Sequence, residues 1–150
     1  MLLVSVVRRP SALAPARDGM DVQAMTVWLT AFGDAWEQRD AEAAAALFAP
    51  GATFQPSPFG ELVRGRRGIA AQWAEMMSGQ QPIRFQGEIL GVGTTYGIAH
   101  WRVVIEQPGD RSIRVVDGIL LAAFDRRGRA TSVRSWSEEA PGLSDLEPER

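Results

Sequence analysis

The sequence contains no cysteine. Disulfide frameworks, thiolate metal sites and thiol nucleophiles are therefore excluded. Lysine is missing as well, so all sixteen basic residues are arginine. That removes Schiff-base chemistry and the lysine of phosphate-binding loops. Histidine is reduced to the single His100. One imidazole cannot build a multi-histidine metal site, and neither an HExxH string nor a His/Cys cluster occurs. No metal and no cofactor is expected. No apolar run approaches the ~20 residues that a membrane-spanning helix needs. A surplus of one charge sign is lacking too: the formal charge is −2 and the arginines are scattered rather than striped. That argues against a nucleic-acid partner. A cytoplasmic protein with neither a membrane nor a nucleic-acid partner is expected.

What remains is a chain of 150 residues, enough for one domain with a substantial core. Residues 1–20 begin with a short apolar run followed by Arg8-Arg9-Pro10, the reverse of the order in a secretory signal. They read as a disordered leader. Residues 139–150 are acidic and proline-containing and read as a disordered tail. The domain is expected between them, over residues 21–138.

The stretch from Trp28 to Trp73 organises that domain. Met25, Trp28, Leu29, Phe32 and Trp36 fall on one face of a helix. Arg39-Asp40 breaks the pattern, and an alanine-rich helix is expected from Ala41 to Phe48, stopped by Pro50-Gly51. Ala52-Thr53-Phe54 reads as a short strand, and a further helix opens near Gly65 with Ile69 and Trp73 on its buried side. The period then changes to two. Strands are expected over residues 82–92, with a turn at 91–94, then over 96–106, 112–124 and 130–137. Asp125-Arg126-Arg127-Gly128 reads as a hairpin turn with Gly128 at the left-handed position. Helices followed by a strand meander make the class α+β.

The strings EQRDAEAAAALFAPGATF, GRRGIAAQW, AHWRV and VDGILLAAFDRRGRATSVRSW, in this order, resemble the nuclear transport factor 2-like superfamily and, within it, the SnoaL-like domains. The resemblance covers residues 25–138. It implies three N-terminal helices packed in a strongly curved mixed or antiparallel sheet, a cone with one deep pocket. It also implies that many members pair through the sheet. The matching strings record turns and packing rather than catalysis, so they speak to fold more than to activity.

Isomerases and polyketide cyclases of this superfamily use a few groups in the pocket. Carried over by the resemblance, the isomerase tyrosine position falls on Phe32 in this chain. The general-base position falls on Pro56, and the acid position on the penultimate strand falls on Leu120. None of the three can exchange a proton or donate to an oxyanion. The Asp–Arg–Asp set of related epoxide hydrolases is not apparent either, since no Asp lies two residues from Arg102 and the last strand ends in Ser-Glu-Glu. Gln55, Ser57 and Glu61 are possible polar anchors near the pocket mouth, with turn chemistry as the alternative.

Strand alternation sorts the remaining residues. If Trp101 and Val103 face the pocket, His100 and Arg102 face away. Val116, Gly118, Leu120 and Ala122 would then point inward, and Asp117, Ile119 and Leu121 outward. The expected pocket lining is Phe32, Trp36, Phe54, Pro56, Trp73, Trp101, Val103, Gly118 and Leu120, with Gly118 leaving room opposite Trp101. The expected outer face carries His100, Arg102, Asp117 and Arg134 among Val104, Ile119, Leu121 and Trp136, with Glu88 alongside. Opposite charges matched across strands among apolar neighbours describe a homodimer interface. Three functional readings follow: a non-catalytic dimer holding a small hydrophobic molecule, an enzyme acting on a polycyclic or terpenoid substrate through substituted groups, and a structural dimer with a filled cone.

Overall fold

The computed structural model describes residues 19–79, 82–107, 109 and 112–141. Expectations for 1–18 and 142–150 lie outside these described residues. Helix α1 runs Val22–Gln38. It starts where the Asp21 carboxylate accepts from the Ala24 N–H at 2.8 Å, the side-chain cap that a first turn needs. It ends at Arg39, whose left-handed φ of 53° brings its own N–H back to Ala35 and Trp36. Asp40 then caps α2 (Ala41–Ala46) by accepting from the Ala43 N–H.

Helix α2 stops two residues short of the expected Phe48, and Pro50-Gly51 does not stop it. Both residues lie inside strand β1 (Phe48–Gln55). Tertiary donors end the helix first. The Leu47 carbonyl accepts from the Trp28 indole at 3.1 Å and from the Ala130 N–H at 2.9 Å. The Phe48 carbonyl accepts from Arg66 Nε at 2.8 Å, and the Phe48 ring is fully buried. Pro50 is tolerated in the strand because the β1–β6 register shifts between Phe48 and Thr53, leaving no regular ladder for it to interrupt.

Strand β2 (Val63–Arg64) pairs with β1, and Gly65, with φ of +76°, turns the chain into α3 (Gly65–Met76). Strands β3 (Ile83–Val92), β4 (Tyr96–Glu106), β5 (Ile113–Phe124) and β6 (Ala130–Glu139) follow. Gly91 and Val92 belong to β3 rather than to the expected turn; a register irregularity between Ile89 and Gly91 absorbs the break. The Asp125–Gly128 hairpin forms as its sequence suggests. Asp125 Oδ1 accepts from the N–H groups of Arg127 and Arg129, and Gly128 has φ of +76°.

The six strands form one sheet in the order β2-β1-β6-β5-β4-β3, antiparallel except for the parallel β1–β6 pair. This is the mixed, curved α+β sheet that the resemblance implies, with the helices at the N-terminus. Two expected boundaries move. Met20 is buried and its N–H donates to the Thr94 carbonyl at 2.7 Å, so the packed chain already includes the last residue assigned to the leader. β6 extends through Glu139, which the tail was expected to contain.

Aromatic rings knit the core. Trp73, fully buried on α3, meets Trp36 edge to face at 4.6 Å, Phe32 edge to face at 5.1 Å and Phe54 in a stack at 5.7 Å. Such pairs add about 0.5–1.5 kcal/mol each beyond area burial. One side chain thus ties α1, α3 and β1 together.

Candidate functional site

A cavity of about 300 Å³ lies between the helices and the concave face of the sheet. Phe32 and Trp36 of α1, Trp73 and Met76 of α3, and Phe54 and Pro56 at the end of β1 form one wall. The sheet forms the other: Trp101, Val103 and Ile105 of β4, Arg114, Val116 and Leu120 of β5, and Val133, Ser135 and Ser137 of β6. Exposure grades along each strand. On β6, Val133 and Ser135 are buried whereas Ser137 and Glu139 are exposed; on β5, Leu120 is buried and Arg114 exposed. The cavity therefore has a closed apolar end and a polar mouth.

Phe32, Pro56 and Leu120, the positions that the resemblance assigns to acid/base groups, all line this cavity, and all are apolar. Trp36, Phe54 and Trp73 line it from the first wall, and Trp101 and Val103 from the sheet. Gly118 does not line it. Gly118 is paired with Trp101 on one side and Ser137 on the other. A Cβ there would sit 2.5 Å from the Trp136 carbonyl oxygen and 2.7 Å from Ser137 Cβ. The missing side chain makes room for the close approach of β6, not for a ligand.

Four buried side-chain polar atoms lack a hydrogen-bond partner among the described residues: Nε1 of Trp36, Trp73 and Trp101, and Oγ of Ser135. All four belong to residues of the cavity wall. Indole nitrogens only donate, and a hydroxyl both donates and accepts. Unmade buried hydrogen bonds of this kind are costly, so their gathering at one cavity calls for a physical reason.

Arg114 and Glu139 form the ion pair of the mouth. Arg114 Nε donates to Glu139 Oε1 at 2.7 Å and Nη2 to Oε2 at 2.8 Å, a two-pronged contact. The hydrogen bonds from Arg114 hold the Glu139 carboxyl below its usual range, against a smaller effect of desolvation. Neither residue was anticipated. Arg114 shares the inward phase of Leu120 on β5, a relation visible in the period-two pattern. Glu139 was hidden by its place in an acidic, proline-containing segment.

On the convex face, Asp117 is the hub. Its Oδ1 lies 2.8 Å from His100 Nε2 and its Oδ2 accepts from Arg102 Nε at 2.8 Å, while His100 Nδ1 lies 3.7 Å from Glu88. Desolvation alone would raise the Asp117 carboxyl, but the hydrogen bonds from Arg102 and His100 outweigh it and hold the group below its usual range. Ile119 and Trp136, paired across β5 and β6, are 42% and 38% exposed. The Arg134 guanidinium lies 4.9 Å from the centre of the Trp136 ring. Val104 and Leu121 are half-buried beside them.

Other polar candidates stay local. Gln55 Nε2 reaches the Pro58 and Gly60 carbonyls at 3.4 Å, which is turn chemistry, and Gln55, Ser57 and Glu61 are not among the residues of the cavity wall. A depression of about 180 Å³ between α1 and β3 is partly filled by the Phe85 ring lying against Gly33. A wider trough of about 630 Å³ between α2 and α3 is floored by alanines. Among the described residues neither gathers unpartnered buried polar groups. Among the described residues no helix is long and apolar enough to cross a membrane.

A family model described as SnoaL-like domain matches residues 29–133, more than half of the chain. Among solved structures, the chain is similar to the epoxide hydrolase/cyclase-like enzyme SalBIII, described for its role in pyran ring formation in the polyether salinomycin. The TM-score is 0.67, with 12% identity over 83% of this chain and 95% of that one. At that identity the likeness speaks for the fold alone. As many as 377 solved chains match significantly, so the fold selects no single activity. No curated protein matches at a significant level.

Proposed function

Because the chain belongs to the SnoaL-like domain family, we propose that it binds a small hydrophobic molecule in its cone cavity and works as a homodimer. The cavity carries this reading. It encloses about 300 Å³, at the small end of ligand-binding pockets, and its closed end is built from aromatic and aliphatic side chains. Burying apolar ligand surface there is favourable by about 25 cal/mol per Å² before ordering costs. With Phe32, Pro56 and Leu120 at the acid/base positions, isomerase or cyclase turnover is not expected. Titration with naphthalene while following tryptophan fluorescence tests the binding. Saturable quenching is expected, and Ser137→Trp, which places a ring at the exposed mouth without touching the core, should abolish it. No saturable change with the wild type would refute the reading.

The homodimer rests on the convex face, where exposed Ile119 and Trp136 adjoin half-buried Val104 and Leu121, flanked by the matched charges of His100, Arg102 and Asp117 and by Arg134 over the Trp136 ring. A second copy covering this patch would bury the apolar centre and leave the matched charges nearer the rim. An enzymatic reading, with acid/base chemistry on a polycyclic or terpenoid substrate, draws on one observation: the Arg114–Glu139 pair stands at the cavity mouth. Turnover of an epoxide that disappears in Glu139→Gln would favour it.

A further inference from the structure

His100 stands where the apolar patch of the convex face meets its charges. One row of cross-strand partners runs over four strands: Glu88 on β3, His100 on β4, Ile119 on β5 and Trp136 on β6. If, as proposed above, a second copy covers Ile119 and Trp136, it covers the neighbouring imidazole too, and the inference rests on that reading. The ring lies between two carboxylates. Its Nε2 is 2.8 Å from Asp117 Oδ1, and its Nδ1 is 3.7 Å from Glu88 Oε2. A neutral imidazole carries one N–H, and its other nitrogen is an acceptor. With the hydrogen on Nε2 for Asp117, the Nδ1 lone pair faces the Glu88 carboxylate. Only the imidazolium offers a donor to both.

Water mends that mismatch in a single copy, where the His100 and Glu88 side chains are 34% and 37% exposed. Once a second copy excludes water, an acceptor facing a carboxylate is costly. Net charge acts in the same direction. On the outward phase of β3 to β6, Arg102 and Arg134 stand with Glu88, Asp117 and Glu138, the last directly across from Asp117. Arg84 and Glu106 pair with each other at 3.8 Å. This face thus carries one surplus negative charge when His100 is neutral and none when it is protonated. A two-fold interface sets a patch against itself, so the surplus opposes association. We propose that association through this face takes up a proton at His100 in each copy, so that the homodimer tightens as pH falls through the range in which imidazoles titrate. Against desolvation, the hydrogen bonds from Arg102 and His100 hold the Asp117 carboxyl below its usual range, so it stays charged throughout.

Sedimentation equilibrium of the full chain between about pH 8 and pH 6, at fixed ionic strength, tests this. Uptake of a proton by each copy predicts a dimer dissociation constant roughly tenfold or more lower at the acid end. His100→Gln keeps a donor for Asp117 but gains no proton, so it should still dimerise, with a constant that stays flat. Glu88→Gln, whose amide can donate to the neutral ring, should weaken the response by a second route. A wild-type dimer whose constant is flat, or rises toward the acid end, overturns the inference while leaving the dimer intact. So does a pH response that survives in His100→Gln. Should His100→Gln not associate at all, Glu88→Gln decides, and an undiminished response there overturns the inference as well. Wild-type protein that is monomeric at both ends of the range overturns the homodimer reading and this inference with it.

Discussion

The concave and convex faces belong to the same strands, one residue apart in phase, yet they treat their polar groups in opposite ways. On the convex face Asp117 spends both carboxylate oxygens on His100 and Arg102, and Arg134 lies over Trp136. Every one of those partners stands on the sheet itself. On the concave face Trp101, Val103, Leu120 and Val133 line a cavity of about 300 Å³ with the helical rings of Phe32, Trp36 and Trp73 opposite, and no ion pair crosses its closed end among the described residues. A finished polar network beside exposed Ile119 and Trp136 suits contact with another surface. An apolar cavity without such a network suits a small apolar guest.

The sharpest way to break this comparison is to remove the support of the concave side. Trp73→Ala deletes the ring shared by Phe32, Trp36 and Phe54. A loss of about 3–5 kcal/mol in urea unfolding is expected; a loss below 1 kcal/mol would show that the cluster is not the core's keystone. Gly118→Leu comes next. A Cβ there meets the Trp136 carbonyl at 2.5 Å, a backbone atom that cannot swing away. Overpacking of this kind costs about 1–3 kcal/mol. A variant as stable as wild type, with a filled cavity, would restore the expectation that Gly118 makes space for a ligand.

On the convex side the effect should be in assembly rather than stability. Ile119→Glu puts a charge on a residue that is 42% exposed, so the melting temperature should change little while light scattering shows monomer in place of dimer. A wild type that is monomeric at every concentration removes the second copy from the account. The smallest effect is expected from acid. Asp117, Asp125 and Glu139 all hold their carboxyls below the usual range. Folded values lower than unfolded ones mean stability that is present above about pH 4 and lost as pH falls through the lowered values. These groups are exposed or half-exposed, so each contributes little. Melting temperature should decline below pH 4, and less steeply in Asp117→Asn; an identical decline in the variant would separate Asp117 from acid sensitivity.

Much of this architecture is legible in the residues, and the misses share a cause. Period two places Tyr96–Glu106 as a strand and puts Trp101 and Asp117 on opposite faces, because alternation is local. The Asp125–Gly128 turn is legible for the same reason. The end of α2 is not, since the donors that claim the Leu47 carbonyl come from Trp28 and Ala130, distant in sequence. Gly118 is misread because what fills its missing Cβ is the backbone of another strand. Arg114 and Glu139 meet only once β5 and β6 are paired, and an acidic composition disguises Glu139 as tail. Ser135 carries no sequence signal at all: an unmet hydrogen bond is a property of packing.

A crystal structure of the protein soaked with naphthalene tests the central claim most directly. The account predicts density for the bicyclic ring between Trp101 and the helical aromatics Phe32, Trp36 and Trp73. An empty cavity beside density on the convex sheet face would contradict it.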